Sequence, residues 1–210
     1  MRLYSFFRSS ASYRERIALA LKGLAYETVS VPMRDQSHRK DSYRSVNPQM
    51  RLPTLELDDG TKLIQSLAII EYLDAVYPEP RLIPSDPLQR ARVQAVAQIV
   101  GSDIHPLNNT GVRGVLTSMF GATERQLDTE WTPHWIREGF SAIEQLIAPG
   151  PFAFGDRITL ADICIVPQVY NARRYKVPLD GFPRILAVDA AAQAHPAFRA
   201  AAPEAQPDAA

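Results

Sequence analysis

Between Tyr77 and Pro87 the chain carries four prolines, at positions 78, 80, 84 and 87. Proline has no backbone N–H and cannot sit inside a helix or a central strand without losing a hydrogen bond, so this stretch can only be a connection. Residues on its N-terminal side mix strand and helix patterns; those on its C-terminal side show helical spacing alone. The chain is therefore expected to form two domains, residues 1–80 and 88–210, joined by a linker over 81–87. Its 210 residues are enough to give each part a core.

In the first part, residues 2–6 alternate like a short strand. Ser12-Tyr13-Arg14-Glu15 reads as a capping box, in which a Ser hydroxyl accepts an early helical N–H and the Glu reaches back to the cap. Ile17, Ala20, Leu21 and Leu24 come next at helical spacing, with Gly23 suited to the helix end. Residues 26–31 alternate with β-branched side chains and predict a second strand. The polar stretch 32–48 shows no period. Residues 52–57, the turn Asp58-Asp59-Gly60 and residues 61–64 predict a β-hairpin, because Asp-Gly tolerates the positive φ of a tight turn. Gln65-Ser66 then opens a helix whose apolar face is Leu67, Ile70 and Leu73. The order is βαβ and then ββα.

In the second part, helical periodicity covers 88–104, 112–119, 123–147, 159–173 and 184–193, with a break expected at Pro106. Thr159-Leu160-Ala161-Asp162 forms a second capping box and carries a structural role. The Ala- and Pro-rich tail from Ala200 predicts fraying.

Lys plus Arg and Asp plus Glu each number 23, which argues against a nucleic-acid partner. No apolar run reaches the roughly 18 residues that span a bilayer, and no signal-peptide core is present, so no membrane association is expected. The single cysteine, Cys164, lies in an apolar run and reads as a core residue; a chain with no internal disulfide suits the cytoplasm. His38, His105, His134 and His195 show no metal-binding spacing, so no metal is expected.

Six segments in order carry a resemblance: Arg8-Ser-Ser-Ala-Ser-Tyr-Arg-Glu-Arg-Ile-Ala-Leu19, Asn47-Pro-Gln-Met-Arg-Leu-Pro-Thr-Leu55, Gln65-Ser66, Asp103-Ile-His-Pro-Leu-Asn-Asn109, Gly155-Asp156 through Asp162, and Ala172-Arg-Arg174. Over essentially its whole length the chain resembles the zeta class of glutathione transferases, which includes maleylacetoacetate and maleylpyruvate isomerases. The resemblance implies an α/β thioredoxin-like N-terminal domain plus an all-α C-terminal domain, the soluble glutathione transferase fold. It also implies glutathione as cofactor, a homodimer, and cis–trans isomerisation of a maleyl-type dicarboxylate in aromatic catabolism. Such a site must lower a thiol pKa, hold two dianions and stabilise an enolate.

The resemblance assigns residues to those demands. Ser10 is the expected thiolate donor, with Ser9 beside it, at a helix start where the dipole favours negative charge. Ala11 stands where the family usually has cysteine or another polar residue. Leu52 precedes Pro53, which matches the family's cis-proline. Ser66, with Gln65, is expected to hold the γ-glutamyl carboxylate, Ser66 also being a natural helix cap. His38 and Gln49 fall near the glycyl end. Asp103, His105 and Asn109 are expected to bind glutathione from the second domain. Arg8, Arg113 and Arg174 are the candidates for substrate carboxylates, since guanidinium matches carboxylate geometry. Thr110-Gly111 replaces the arginine that tends to come after the paired asparagines in bacterial maleylpyruvate isomerases. Two alternatives stay open: a broad transferase that conjugates electrophiles, and a non-catalytic glutathione-binding protein.

Overall fold

The first strand, β1 (Arg2–Ser5), runs through the middle of a four-stranded sheet of order β2-β1-β3-β4. The others are β2 (Glu27–Ser30), β3 (Thr54–Glu56) and β4 (Lys62–Ile64) in the computed structural model, which describes residues 1–33 and 35–209. β1 pairs parallel with β2, Leu3 opposite Thr28, and antiparallel with β3, Leu3 opposite Leu55. A parallel neighbour requires a crossover, supplied here by helix α1 (Ser10–Leu21). The antiparallel β3–β4 pair needs only a tight turn, and the predicted Asp-Gly segment makes it: Gly60 takes φ +84°, and Asp59 Oδ1 accepts from Thr61 N at 2.8 Å. The aperiodic stretch after β2 holds a single 3₁₀ turn (Ser37–Arg39) and the short α2 (Asp41–Arg44). After β4 comes α3 (Ser66–Val76). Leu3 and Leu55 from the sheet meet Leu19 of α1 and Ile69 and Leu73 of α3 in one wholly buried cluster. Each such side chain contributes roughly 1.5–3 kcal/mol. This half has the thioredoxin-like arrangement that the resemblance implied.

The first helix does not start at the predicted capping box. Ser9 is the cap, its Oγ accepting from Ser12 N at 3.2 Å, while Ser12 and Glu15 lie buried within the helix. The start moves upstream because Ser9 N already bonds Phe6 O at 3.0 Å, turning the chain directly out of β1.

The proline-rich connection is anchored. Lys22, at the C-terminus of α1, donates to Asp74 Oδ1 of α3 at 2.7 Å and to the carbonyls of Tyr77 and Pro80 at 2.6 and 2.8 Å. Asp74 Oδ1 also accepts from Leu82 N at 2.7 Å. The Leu52–Pro53 and Glu79–Pro80 peptides are cis.

The chain divides into two compact units, Met1–Leu82 together with residues 193–209, and Ile83–Ala192. The tail therefore belongs with the first unit and is not frayed. Helix α11 (Pro196–Ala201) packs on α1, with Phe198 wholly buried. Arg16 of α1, itself buried, donates to Ala201 O at 2.9 Å, Ser5 Oγ at 3.1 Å and Phe7 O at 3.0 Å. Asp208 accepts from Phe7 N and from Ser30 Oγ, both at 3.1 Å. Composition suggested a loose end; these long-range bonds hold it.

The second unit contains α4 (Pro87–Gln98), α5 (His105–Asn108), α6 (Thr110–Phe120), α7 (Glu124–Gln126), α8 (Thr132–Leu146), α9 (Leu160–Arg174) and most of α10 (Pro183–Ala194). Pro106 does not break the helix as expected. The chain widens into a π turn over Ile99–Ile104, and Pro106 sits in the first turn of α5. The same device recurs at Leu127–Trp131 before Pro133 of α8. A wider turn relieves the clash between a proline ring and the carbonyl four residues back. The chain leaves the helical course only at Asn109, which is extended at ψ 154° and caps α6. The capping box before α9 forms as predicted, Asp162 Oδ2 accepting from Thr159 N at 2.7 Å, and its Oδ1 also holds Ala153 N at 2.7 Å. Among the described residues no helix is long and apolar enough to cross a membrane, and no cluster of side chains suits a metal ion.

Candidate active site

At the end of β1 the chain turns over Phe7–Arg8 and enters α1 with Ser9 as cap and Ser10 as first helical residue. Ser9 Oγ is used as an acceptor, which leaves its O–H free to donate. Ser10 is buried at 5% exposure, and among the described residues its hydroxyl has no hydrogen-bond partner. A donor of this kind at a helix N-terminus stabilises a nearby anion through the O–H, the open N–H groups and the dipole together. Ala11 is buried and offers only its main chain. The Arg8 guanidinium lies over the Phe7 ring, 5.4 Å from its centroid.

The segment before β3 is held rigid by side chains that carry no sequence signal of that role. Asn47 Nδ2 donates to Arg51 O at 2.8 Å and to Thr54 Oγ1 at 3.1 Å, and Asn47 Oδ1 accepts from Gln49 N at 2.9 Å. Tyr43 donates to Arg51 O at 2.8 Å. Leu52 and Pro53 are thus presented on a fixed loop. Gln65 Nε2 donates to Gln49 Oε1 at 2.7 Å, which brings these two predicted residues together.

Gln65 adopts φ +70°, a conformation costly for a residue with a side chain, and it is Gln65, not Ser66, that occupies the cap position of α3. Ser66, 4% exposed, is the first helical residue, and its Oγ accepts from Arg14 Nη1 at 3.2 Å. Arg14 is 3% exposed and lies one turn beyond Ser10 on α1. A buried guanidinium thus stands behind the start of α3. No sequence signal marked it, because an arginine inside a helix usually faces solvent. His38 is buried, with Nδ1 lacking a partner among the described residues. Burial, then the charges of Arg39 and Arg51, lowers the pKa of its imidazole.

In the second unit, Asp103 is exposed on the first π turn and His105 opens α5. Asn109, predicted as a glutathione contact, is the α6 cap, its Oδ1 accepting from Thr110 N at 2.7 Å. Its neighbour Asn108 is the buried one, and neither its Oδ1 nor its Nδ2 has a partner among the described residues. The sequence pair could not tell the two apart. Arg113 donates to Asp128 Oδ1 at 2.6 Å and to Thr132 Oγ1 at 2.9 Å, and stacks on Tyr175 at 5.4 Å. It is a clasp between helices. Arg174 stacks on the same Tyr175 at 5.6 Å, while Arg173 pairs with Asp189 at 2.6 Å.

Residues 3–81 match the model of the glutathione S-transferase N-terminal domain, and residues 121–200 that of the C-terminal domain. The chain is 52% identical to maleylacetoacetate isomerase of Pseudomonas aeruginosa, covering 99% of this chain and 98% of that one. It matches the holo structure of a maleylpyruvate isomerase, described as a bacterial zeta-class glutathione S-transferase, with TM-score 0.96 at 48% identity over 100% of both chains. A maleylacetoacetate isomerase from Anaeromyxobacter dehalogenans, solved with glutathione in its active site, superposes with TM-score 0.88 at 41% identity, covering 100% of this chain and 97% of that one.

Proposed function

Since the chain belongs to the zeta class of the glutathione S-transferase family, we propose that it is a glutathione-dependent cis–trans isomerase of maleylacetoacetate or maleylpyruvate. The observation that carries the reading is the pair of helix starts tied together by Arg14, with the Ser10 hydroxyl unengaged at one and Ser66 seated at the other. When bound, glutathione would supply the thiol nucleophile for reversible addition to the cis double bond.

The chain's own residues prepare that chemistry. Ser10 donates to the sulfur and lowers its pKa, with Ser9 beside it. Ser66 and its N–H, backed by the Arg14 charge, hold the γ-glutamyl carboxylate. The loop through Leu52 and Pro53 offers backbone to the cysteinyl part. Gln49, with His38, serves the glycyl end. By the family resemblance Asp103, His105 and Asn109 are also assigned to glutathione. Arg8 and Arg174 are assigned to substrate carboxylates; Arg113 is occupied by Asp128. The reading extends to a homodimer in the cytoplasm, working in aromatic catabolism; the single buried cysteine agrees with a reducing compartment.

The test is isomerisation of maleylacetoacetate and maleylpyruvate with and without glutathione, beside conjugation of a chlorodinitrobenzene. Wild type is expected to isomerise only with glutathione. Ser10→Ala is expected to lower turnover and raise the pH at which bound glutathione ionises, read from thiolate absorbance. Conjugation without isomerisation would replace this reading with a broad transferase, the alternative that Ala11 and Thr110-Gly111 favour.

A further inference from the structure

Beyond the end of α9 a cavity of about 390 Å³ opens within the second unit, lined by Arg137, Arg174 and Lys176 with Asp128, Tyr175 and Pro133. Like charges brought to one cavity repel each other. Among the described residues none of the three has a carboxylate within ion-pairing distance, and Asp128, the carboxylate in the lining, is already engaged by Arg113 at 2.6 Å. Arg173 differs, since its charge is met by Asp189. A helix C-terminus attracts cations on its own account, which explains a basic last turn on α9. It does not explain Arg137, which comes from α8.

Lys176 adds a second, independent observation. Lys176 N bonds Arg173 O and Val177 N bonds Ala172 O, both at 3.0 Å, and Val177 is buried. This is the helix ending in which the residue after the cap turns left-handed, a place that glycine fills at least cost. Lys176 takes φ +54° there. The chain bears that backbone strain and gains one more cation on the cavity wall.

We infer that Arg137, Arg174 and Lys176 form a carboxylate-binding site for a small dicarboxylate, and that Arg137 and Lys176 set specificity for the acid's charged tail. Guanidinium groups pair with carboxylates two bonds at a time, and the cavity is larger than a single inorganic anion requires. The substrate role of Arg174 rests on the isomerase reading; anion binding by the cavity does not.

Succinate is the probe, titrated without glutathione while the Nε–H signals of Arg137 and Arg174 are tracked by NMR, with neutral succinamide as control. Wild type is expected to bind succinate saturably and succinamide not at all. Arg137→Gln and Lys176→Gly are each expected to weaken succinate by about tenfold, the loss of one charge-assisted contact. Lys176→Gly is also expected to raise Tm, because glycine relieves the left-handed turn; a purely structural lysine would show the gain in Tm with succinate affinity unchanged. That result, unsaturable binding by wild type, or equal binding of succinamide overturns the inference. Isomerase turnover measured on the same proteins separates the two readings. Succinate binding of the expected pattern without isomerisation removes the function and keeps the site, and isomerisation with variant-insensitive succinate binding does the reverse.

Discussion

Glu15 is a carboxylic acid sealed inside the first unit, and among the described residues neither of its oxygens has a hydrogen-bond partner. Burial alone pushes its pKa well above the ordinary glutamate range. The folded protein therefore keeps a proton that the unfolded chain gives up near pH 4. Stability is full below that pH and falls as pH rises toward the folded-state pKa, because unfolding then releases a proton. Replacing Glu15 with Leu is expected to remove that slope, so that the variant gains on the parent by on the order of 1 kcal/mol per pH unit across the titrating range. Urea denaturation at pH 5 to 8 checks this, and a constant difference between the two proteins would mean that Glu15 ionises normally. The same residue shows why spacing misplaces the start of α1. Ser12 and Glu15 have capping-box spacing, but spacing carries no information about burial, and the true cap, Ser9, depends on where β1 lets go of the chain. Ser10, Gln49 and Gln65 were singled out through the resemblance, and two of them, Gln49 and Gln65, meet in the fold. Arg14, Asn47 and Asn108 were not, because their importance lies in partners or burial distant in sequence.

At the scale of elements, local chemistry was a good guide wherever an element closes on itself. The Asp58-Asp59-Gly60 turn and the Thr159–Asp162 box need only neighbours a few residues away, and both stand where the sequence put them. The π turns before Pro106 and Pro133 were invisible, since a proline signals a lost hydrogen bond without saying whether the helix stops or widens. The first of these turns meets Gly139 of α8 at very short range: a Cβ there would stand 2.2 Å from Ile104 Cδ1, and Ile104 is wholly buried. Alanine favours a helix over glycine, yet Gly139→Ala is expected to destabilise by about 1–3 kcal/mol, the cost of overpacking. Thermal unfolding decides the sign; a stabilised variant would show that the π turn yields easily.

At the scale of the whole molecule, the four prolines lie where the chain passes from one compact unit, at Leu82, to the other, at Ile83. What composition concealed was the destination of the tail. Residues 193–209 complete the first unit through Phe198, Arg16 and Asp208. Removing residues 193–209 is expected to lower stability by at least about 3 kcal/mol, the loss of a buried aromatic side chain. Glutathione affinity is expected to fall with it, because Phe7 and the turn into Ser9 lose their supports; calorimetry with glutathione measures the effect, and unchanged affinity would show that the turn holds itself. Synthesis on the ribosome then acquires an order. Once the sheet and α3 have emerged, about 110 residues of the second unit must be added before the closing segment appears. At roughly 5–20 residues per second this takes on the order of 5–20 s. Throughout that interval the place of Phe198 on α1 stands empty and Arg16 lacks its acceptor at Ala201, so an early segment holds open a site that residues made some seconds later must fill.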